Sequence, residues 1–504
     1  MKRVFYILLF FCISQNISAQ NTELKQIAEK GMQFAYNMDF DQGIQHFNRL
    51  TSNHPESPHG YLFKTVSYYY LYLTDMENAE SEKVFKDLAN ETISLSSKKL
   101  RADPDNLDAL FCMGTAHIYL AAFYGENDSW IRAYWYGKEG INYLKRVIAL
   151  NPAYHDAYLG LGLYHYYADV MPRFVKAISS LLGVEANREK GLQQLHKAYQ
   201  NGRFTSVEAG FFLGYIYLYL EKKHTKSLPF LEYVGKRFPD NPIFQIVLGD
   251  VYRRLGRHQK AVDAYELSIS DSNQERFPKL MCSSHYLLGN IYFERNEIEL
   301  ALAAYTAAAD KAAELNSKKD GIFSWATYKK GQCLELLGKG DLAKKCYVAV
   351  KKNENEFAYN KARSALKNPM SKLDTDLIRA KNMVITRSYN EAIQLYNNIL
   401  PRLARGNRDY PLKKLPEIFY YIGKTRFEMK NYSQAIKEFK KVIALGPPKR
   451  SWVKPWTHFR LGKCYVSIGR KSLATSEFKR AYRYNDSDLR FEIDKINRSL
   501  KASF

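Results

Sequence analysis

At 504 residues, with 46% hydrophobic and 25% charged side chains, the chain is too long and too apolar for wholesale disorder. Its 75 Lys plus Arg outnumber 52 Asp plus Glu, and the resulting charge of +23 favours anionic partners without choosing among them. Frequent Tyr (39) and sparse Pro (16), the latter mostly between periodic segments, suit long helices joined by short turns.

The first segment, "MKRVFYILLFFCISQNISA", reads as a secretory signal peptide over residues 1–19. Lys2 and Arg3 supply the positive start, Val4 to Ile13 the apolar run, and Ser18 and Ala19 the small residues before cleavage. That run falls short of the roughly 20 residues needed to span a bilayer. Cys12 follows Phe10 and Phe11, which is poor context for lipid attachment. The expectation is export across the inner membrane to a periplasmic or outer-membrane-associated location in a bacterium, with no transmembrane helix after cleavage. Cys112, Cys282, Cys333, Cys346 and Cys464 remain, an odd number without CxxC spacing. They read mainly as buried small hydrophobes, with a Cys333–Cys346 pair left open, and zinc is not expected.

From residue 22 onward one pattern recurs. Gly31, Gly43 and Phe47 are separated by twelve and then four residues, and the same intervals connect Gly249, Ala261 and Tyr265, then Gly423, Ala435 and Phe439. Ala380, Ala392 and Tyr396 follow the rule with Ala in the first place. Small residues on two antiparallel helices allow close approach, and the aromatic one turn later fills the space beside them. Such a hairpin needs neighbours to cover its apolar face, so an all-α repeat array is predicted. "LGDVYRRLGRHQKAVDAYELS" and "IGKTRFEMKNYSQAIKEFKKVIALGP" resemble the tetratricopeptide repeat, with Pro447 closing the unit. The resemblance implies a superhelical solenoid of about eleven helical hairpins beginning near residues 22, 58, 107, 155, 207, 242, 282, 324, 373, 416 and 455, with a capping helix from Asp488. Three N-terminal repeats are enlarged. The expected regions are 20–205 with enlarged repeats, a central array over 206–370 and a C-terminal array with its cap over 371–504.

The third enlarged repeat carries "ADVMPRFVKAISSLLGVEANREKG" between its helices. Phe174, Val175, Ile178, Leu181 and Leu182 share one helical face, Pro172 suits a first turn and Gly183 a stop, so an inserted amphipathic helix is predicted over 172–183. It either braces the enlarged hairpins or touches lipid or a partner. The block from "LGLGLYHYYADVMPRFVKAISSLLG" through "EANREKGLQQLHKAYQNG" is similar to the segment that characterises the tetratricopeptide repeat protein 39-like family, whose eukaryotic members are linked to inclusion-body and lipid-droplet clearance. Asn187 stands where that pattern has an acidic residue, and the eukaryotic members lack an export signal.

Two surfaces are candidates for binding. First helices should line a concave groove containing Tyr215, Tyr286, Asn290, Tyr328, Lys381, Tyr420, Lys424, Arg460 and Lys463, aromatic at first and basic toward its C-terminal end. "PRLARGNRDYPLKKLP" and "PPKRSWVKPW" should form a basic edge from Arg402, Arg405, Arg408, Lys413, Lys414, Lys449, Arg450 and Lys454, interleaved by Tyr410, Trp452 and Trp456. No HExxH, GxSxG or GxxxxGK[ST] pattern occurs. His155, Asp156, His165 and Asp169 are expected to be hydrogen-bonded structure rather than metal ligands. The sequence therefore predicts a non-catalytic exported scaffold for protein–protein interaction at the cell envelope, without cofactor or metal. A protein or peptide partner is expected, an acidic one among the candidates, and nucleic acid is not. The alternative is an envelope protein that binds lipid or anionic glycan through the inserted helix and the basic loops.

Overall fold

The computed structural model describes residues 22–170, 186–315, 321–447, 451–484 and 486–501. Among them every regular element is helical. The helices start where the sequence supplies side-chain acceptors or a prefixed backbone: Asn106 accepts from the amide of Ala109 at 3.0 Å, and Pro58 and Pro242 each occupy a first turn. Ser371 and Asp374 satisfy each other's amides in a complete capping box. Within several hairpins the turn needs one left-handed residue, which is Gly256 at φ 74° but Lys430 at φ 61° in an equivalent place.

The chain divides into residues 1–285 and 286–504. The first unit contains the hairpins α1 (Thr22–Tyr36) with α2 (Phe40–Asn53), α3 (Pro58–Thr74) with α4 (Ala79–Ala102), and α5 (Leu107–Glu126) with α6 (Trp130–Leu150). They continue as α7 (Ala157–Val170) with α8 (Arg188–Asn201), α9 (Ser206–Tyr215) with α10 (His224–Arg237), and α11 (Pro242–Arg254) with α12 (His258–Ser268), followed by the short α13 (Asp271–Arg276). Enlargement is plain in α4, α5 and α6, which run 24, 20 and 21 residues against 17 for the longest helices of the later hairpins. The excess in the next hairpin, including the inserted helix expected over 172–183, lies outside the described residues. By length and composition α5 could cross a membrane, yet it is a core helix packed against α3, α4 and α6.

Within this unit the first hairpins fold back onto the last. The Tyr36 hydroxyl donates to Phe204 O at 2.9 Å, Asn241 Nδ2 donates to Tyr36 O at 2.8 Å, and Arg276 donates to Met38 O at 2.6 Å. Arg203 meets Glu29 at 2.7 Å, and Lys279 bridges Asp75 and Glu77. Buried at this seam, Glu208 lies with Met38, Phe40, Tyr70 and Phe244 around a cavity of about 10 Å³, the size of one water.

Helix α14 (Pro278–Glu294) ends inside the second unit and pairs there with α15 (Ile298–Glu314). A Cβ at Gly289 would come within 2.6 Å of Tyr305, which is the close approach the spacing predicted. Next come α16 (Ile322–Leu336) with α17 (Gly340–Ala349), a separate helix α18 (Glu356–Lys367), and α19 (Lys372–Ile385) with α20 (Tyr389–Arg405). The array continues as α21 (Leu415–Glu428) with α22 (Tyr432–Ala444), then α23 (Val453–Ser467) with α24 (Lys471–Tyr482), and ends in α25 (Ser487–Lys501). Helix α25 inserts Leu489 and Ile493 into the last core cluster, as a cap should. The irregularity is α18, whose Ala358 and Ala362 pack with Tyr347 and Val350. Beyond it, Asn382 on α19 donates to Phe293 O at 2.7 Å and Asn296 Oδ1 at 2.8 Å, which seats α19 against the α14–α15 turn.

Candidate functional site

Close packing at the small residues decides which neighbouring side chains remain available. Ala380, Gly423 and Gly462 are fully committed to their hairpins; a Cβ at Gly423 would fall 2.7 Å from Phe439. Each is followed by a lysine, so Lys381, Lys424 and Lys463 occupy equivalent positions on α19, α21 and α23, all partly buried.

Lys381 and Lys463 lie against ring faces, and carboxylates stand near all three lysines, Glu417 by Lys381 and Glu428 by Lys424 and Lys463. Lys381 Nζ is 4.2 Å from the centre of Tyr421, whose ring stacks on Tyr396 at 6.1 Å and approaches Trp452 at the same distance. Trp452 stands edge-on to Tyr420 at 5.2 Å. Lys463 Nζ is 5.3 Å from Phe427 and 5.9 Å from Phe459, and the Arg460 guanidinium is 5.9 Å from Phe427. Such contacts stabilise a cation by roughly 0.5–2 kcal/mol, depending on desolvation. Burial nevertheless pulls all three lysines below the ordinary ammonium range, and neighbouring cations reinforce this: Arg460 acts on Lys424 and Lys463, and Lys424 and Lys414 on Lys381. Glu428 opposes the effect at Lys424 and Lys463, but it sits 3.9 Å from Arg460, a loose pair. The site is a half-desolvated cluster of basic side chains with ring faces beside Lys381 and Lys463.

Of the residues expected in the groove, Lys381, Tyr420, Lys424, Arg460 and Lys463 gather here. Tyr286 and Tyr328 lie upstream in the same unit, turned toward Tyr305 and Tyr347 with ring centres 5.8 Å apart in each pair. Asn290 accepts a 2.8 Å hydrogen bond from the Tyr305 hydroxyl, which engages its carbonyl internally. Tyr215 belongs to the first unit, buried 4.5 Å from the Tyr219 ring. Sequence reasoning missed Tyr421 and Phe427 as seats for the lysines and placed Trp452 on the basic edge, whereas its ring packs against Tyr420 and Tyr421. Only the density of aromatic residues in "FYYIGKTRFE" pointed toward them.

The basic edge is partly neutralised by its own surroundings. Arg402 donates to the Tyr410 hydroxyl at 2.9 Å and lies 3.6 Å from Asp376, while Lys414 pairs with Glu417 at 2.8 Å. Tyr410 is buried and donates to Asp376 at 2.7 Å, so it is a structural link rather than an exposed ring. Arg405, Arg408 and Lys413 are exposed, Lys454 is partly buried, and Lys449 and Arg450 lie outside the described residues.

The His and Asp residues beside α7 have structural work. Asp156 accepts from the amides of Phe204 and Thr205 and from the Thr205 hydroxyl at 3.1, 3.0 and 2.8 Å. His165 Nδ1 lies 2.7 Å from Leu161 O, which assigns the proton to that nitrogen. Among the described residues no group of three potential metal ligands converges. Cys112, Cys282, Cys333 and Cys464 are buried, Cys346 is partly buried, and all five are free thiols, so Cys333 and Cys346 do not pair.

Comparison with known proteins agrees with this architecture. Residues 156–376 match the family model described as Iml2/Tetratricopeptide repeat protein 39, and residues 417–445 match a tetratricopeptide repeat model. The first match occupies the middle of the chain and runs well past the inserted segment that suggested it. No curated protein matches. A tetratricopeptide repeat protein from Parabacteroides merdae is similar at 17% identity and TM-score 0.26, over 57% of this chain and 98% of its own. The P58(IPK) TPR domain is similar at 14% identity and TM-score 0.21, over 82% of this chain and 94% of its own. The chain is a tetratricopeptide-repeat protein that carries an Iml2/Tetratricopeptide repeat protein 39 region over residues 156–376.

Proposed function

We propose that the protein is an exported scaffold of the cell envelope that holds an extended, acidic segment of a partner protein against α19, α21 and α23. One observation carries this reading: Lys381, Lys424 and Lys463 recur at equivalent repeat positions and are partly buried, Lys381 and Lys463 against ring faces and Lys424 and Lys463 beside Arg460. An incoming carboxylate relieves both the desolvation and the mutual repulsion, and the rings offer apolar seats between charges. The reading needs no reacting group, in keeping with the scaffold role common to tetratricopeptide-repeat proteins. The signal-like residues 1–19 support export. Exposed Arg405, Arg408 and Lys413 support the second reading, an anionic lipid or glycan surface held by the edge loops.

The test is fluorescence anisotropy with a labelled peptide alternating Glu and Phe, against one alternating Gln and Phe, measured across a salt series. Binding of the acidic peptide that weakens with salt and is lost in the Lys381→Glu, Lys424→Glu, Lys463→Glu variant is the expected result. Equal binding of both peptides, or acidic-peptide binding that survives the triple substitution, would sink the groove assignment. Salt-sensitive binding to anionic vesicles that survives it but fails after Arg405→Glu, Arg408→Glu and Lys413→Glu would favour the second reading.

A further inference from the structure

Helix α6 in the first unit is amphipathic, and its outer face is left uncovered by the described helices. Gly137, Gly140, Ile141, Leu144 and Val147 are buried inward, whereas Ile131 is 74% and Trp135 52% exposed. These two are one helical turn apart and form a single apolar ridge. Lys138 lies along it, with Nζ 5.6 Å from the Trp135 ring centre, and Asp128 is exposed in the turn that precedes the helix.

We infer that this ridge is the contact surface of a symmetric dimer whose occupant is a second copy of this chain, with the two α6 helices antiparallel across a two-fold axis. The argument is self-complementarity, which a two-fold contact requires. Setting Ile131 against Trp135 of the partner subunit sets Trp135 against Ile131 of the partner subunit, so both apolar side chains of both copies are covered at once. Asp128 and Lys138 lie three residues outside that pair at either end, so the same register brings Lys138 level with Asp128 of the partner subunit, again twice. Apolar contact is thus flanked by two opposite-charge pairs, which fix register and orientation. An anionic membrane fits the ridge less well, because the exposed Arg132 beside it is offset by exposed Asp128 and Glu139.

Analytical ultracentrifugation of the full chain, at concentrations up to about 100 µM, tests the dimer. The expected result is a species of twice the chain mass that Trp135→Asp converts to monomer while circular dichroism stays unchanged. The single substitutions Asp128→Lys and Lys138→Asp should each weaken self-association about tenfold or more through like-charge pairing. Mixed together, the two variants should dimerise at least as well as the parent, because every flanking pair in the heterodimer is then opposite in charge. Lysine fits the left-handed backbone at Asp128 (φ 56°), since Lys222 and Lys430 occupy comparable turns at φ 55° and 61°. A monomeric parent, a dimer indifferent to Trp135→Asp, or variants that fail to rescue each other would overturn the inference. None of these outcomes bears on peptide binding by α19 to α23.

Discussion

Asp156 offers the sharpest check on the reading of the first unit, because its role as an internal hydrogen-bond acceptor competes with the metal-ligand role its neighbours suggest. It is 4% exposed and ties the chain entering α7 to the chain entering α9 through two amides and one hydroxyl. Asp156→Ala leaves those three donors without their acceptor, at about 1–3 kcal/mol for each buried group. The loss is offset in part because burial makes the carboxylate itself costly, as the upward displacement of its pKa shows. A net loss of about 3–5 kcal/mol follows, with about half of that for Asp156→Asn, which keeps an acceptor oxygen. With two units in the chain, global unfolding need not be two-state, so hydrogen exchange read by mass spectrometry is the better assay. Amides of residues 203–215 should exchange faster in Asp156→Ala while those of residues 415–445 keep the parental rate. Unchanged protection over 203–215 would refute the clamp, and faster exchange of the parent in a chelator would refute its independence of metal.

Three further outcomes follow from particular contacts. Burial, with Asp156 nearby, raises the Glu208 carboxyl well above the ordinary carboxylate value of 4.5, so the folded chain holds a proton that the unfolded chain releases. Its contribution is therefore complete below about pH 4.5 and is lost as pH rises, by up to roughly 1.4 kcal/mol per pH unit. Glu208→Gln should accordingly gain stability relative to the parent between pH 5 and 7 in urea titrations monitored by first-unit hydrogen exchange; a gap that stays constant would contradict the assignment. Gly423→Ala forces the Phe439 ring off a contact that would close to 2.7 Å, and should destabilise α21 and α22 by about 1–3 kcal/mol, read as accelerated exchange over 415–444. Tyr410→Phe removes the hydroxyl shared by Arg402 and Asp376, and a loss of about 1 kcal/mol in urea unfolding is expected, whereas a freely exposed ring would show none.

The hairpins were legible because their signal is local. Twelve-and-four spacing arises within one helical pair, and together with the tetratricopeptide resemblance it gave repeat starts that fall within four residues of a helix start, as at 242 and 415. What escaped was set by contacts between distant parts of the chain. Nothing adjacent to Tyr36 announces Phe204 or Asn241, so the return of the first hairpin onto the last of its unit could not be read from any window. Helix α18 also escaped, because its small residues Ala358 and Ala362 follow no repeat spacing and pack into the cluster built by α16 and α17. In the site, the lysines were readable from their place after Ala380, Gly423 and Gly462. Their ring seats were not, because Lys381 reaches Tyr421 on the next hairpin and Tyr420 meets Trp452 on the connection that follows.

The excess positive charge of the chain is not equally available everywhere. On the edges and helix surfaces it is answered close by, as Lys414 is by Glu417 and Lys441 by Glu438. In the groove it leans on Tyr421, Phe427 and Phe459 instead, and burial there pushes the lysines toward the neutral form. A carboxylate 4 Å from a lysine gains about 1 kcal/mol in water-like surroundings and about 4 kcal/mol at an effective dielectric near 20. Under the proposed reading an acidic ligand would therefore be drawn more strongly to the partly buried lysines than to Arg405, Arg408 or Lys413, and salt would screen the exposed contacts first. Under that reading the site would discriminate by shape as well as charge, since only a chain thin enough to lie between the rings could bring its carboxylates to the ammonium groups. The exposed loops can read charge alone.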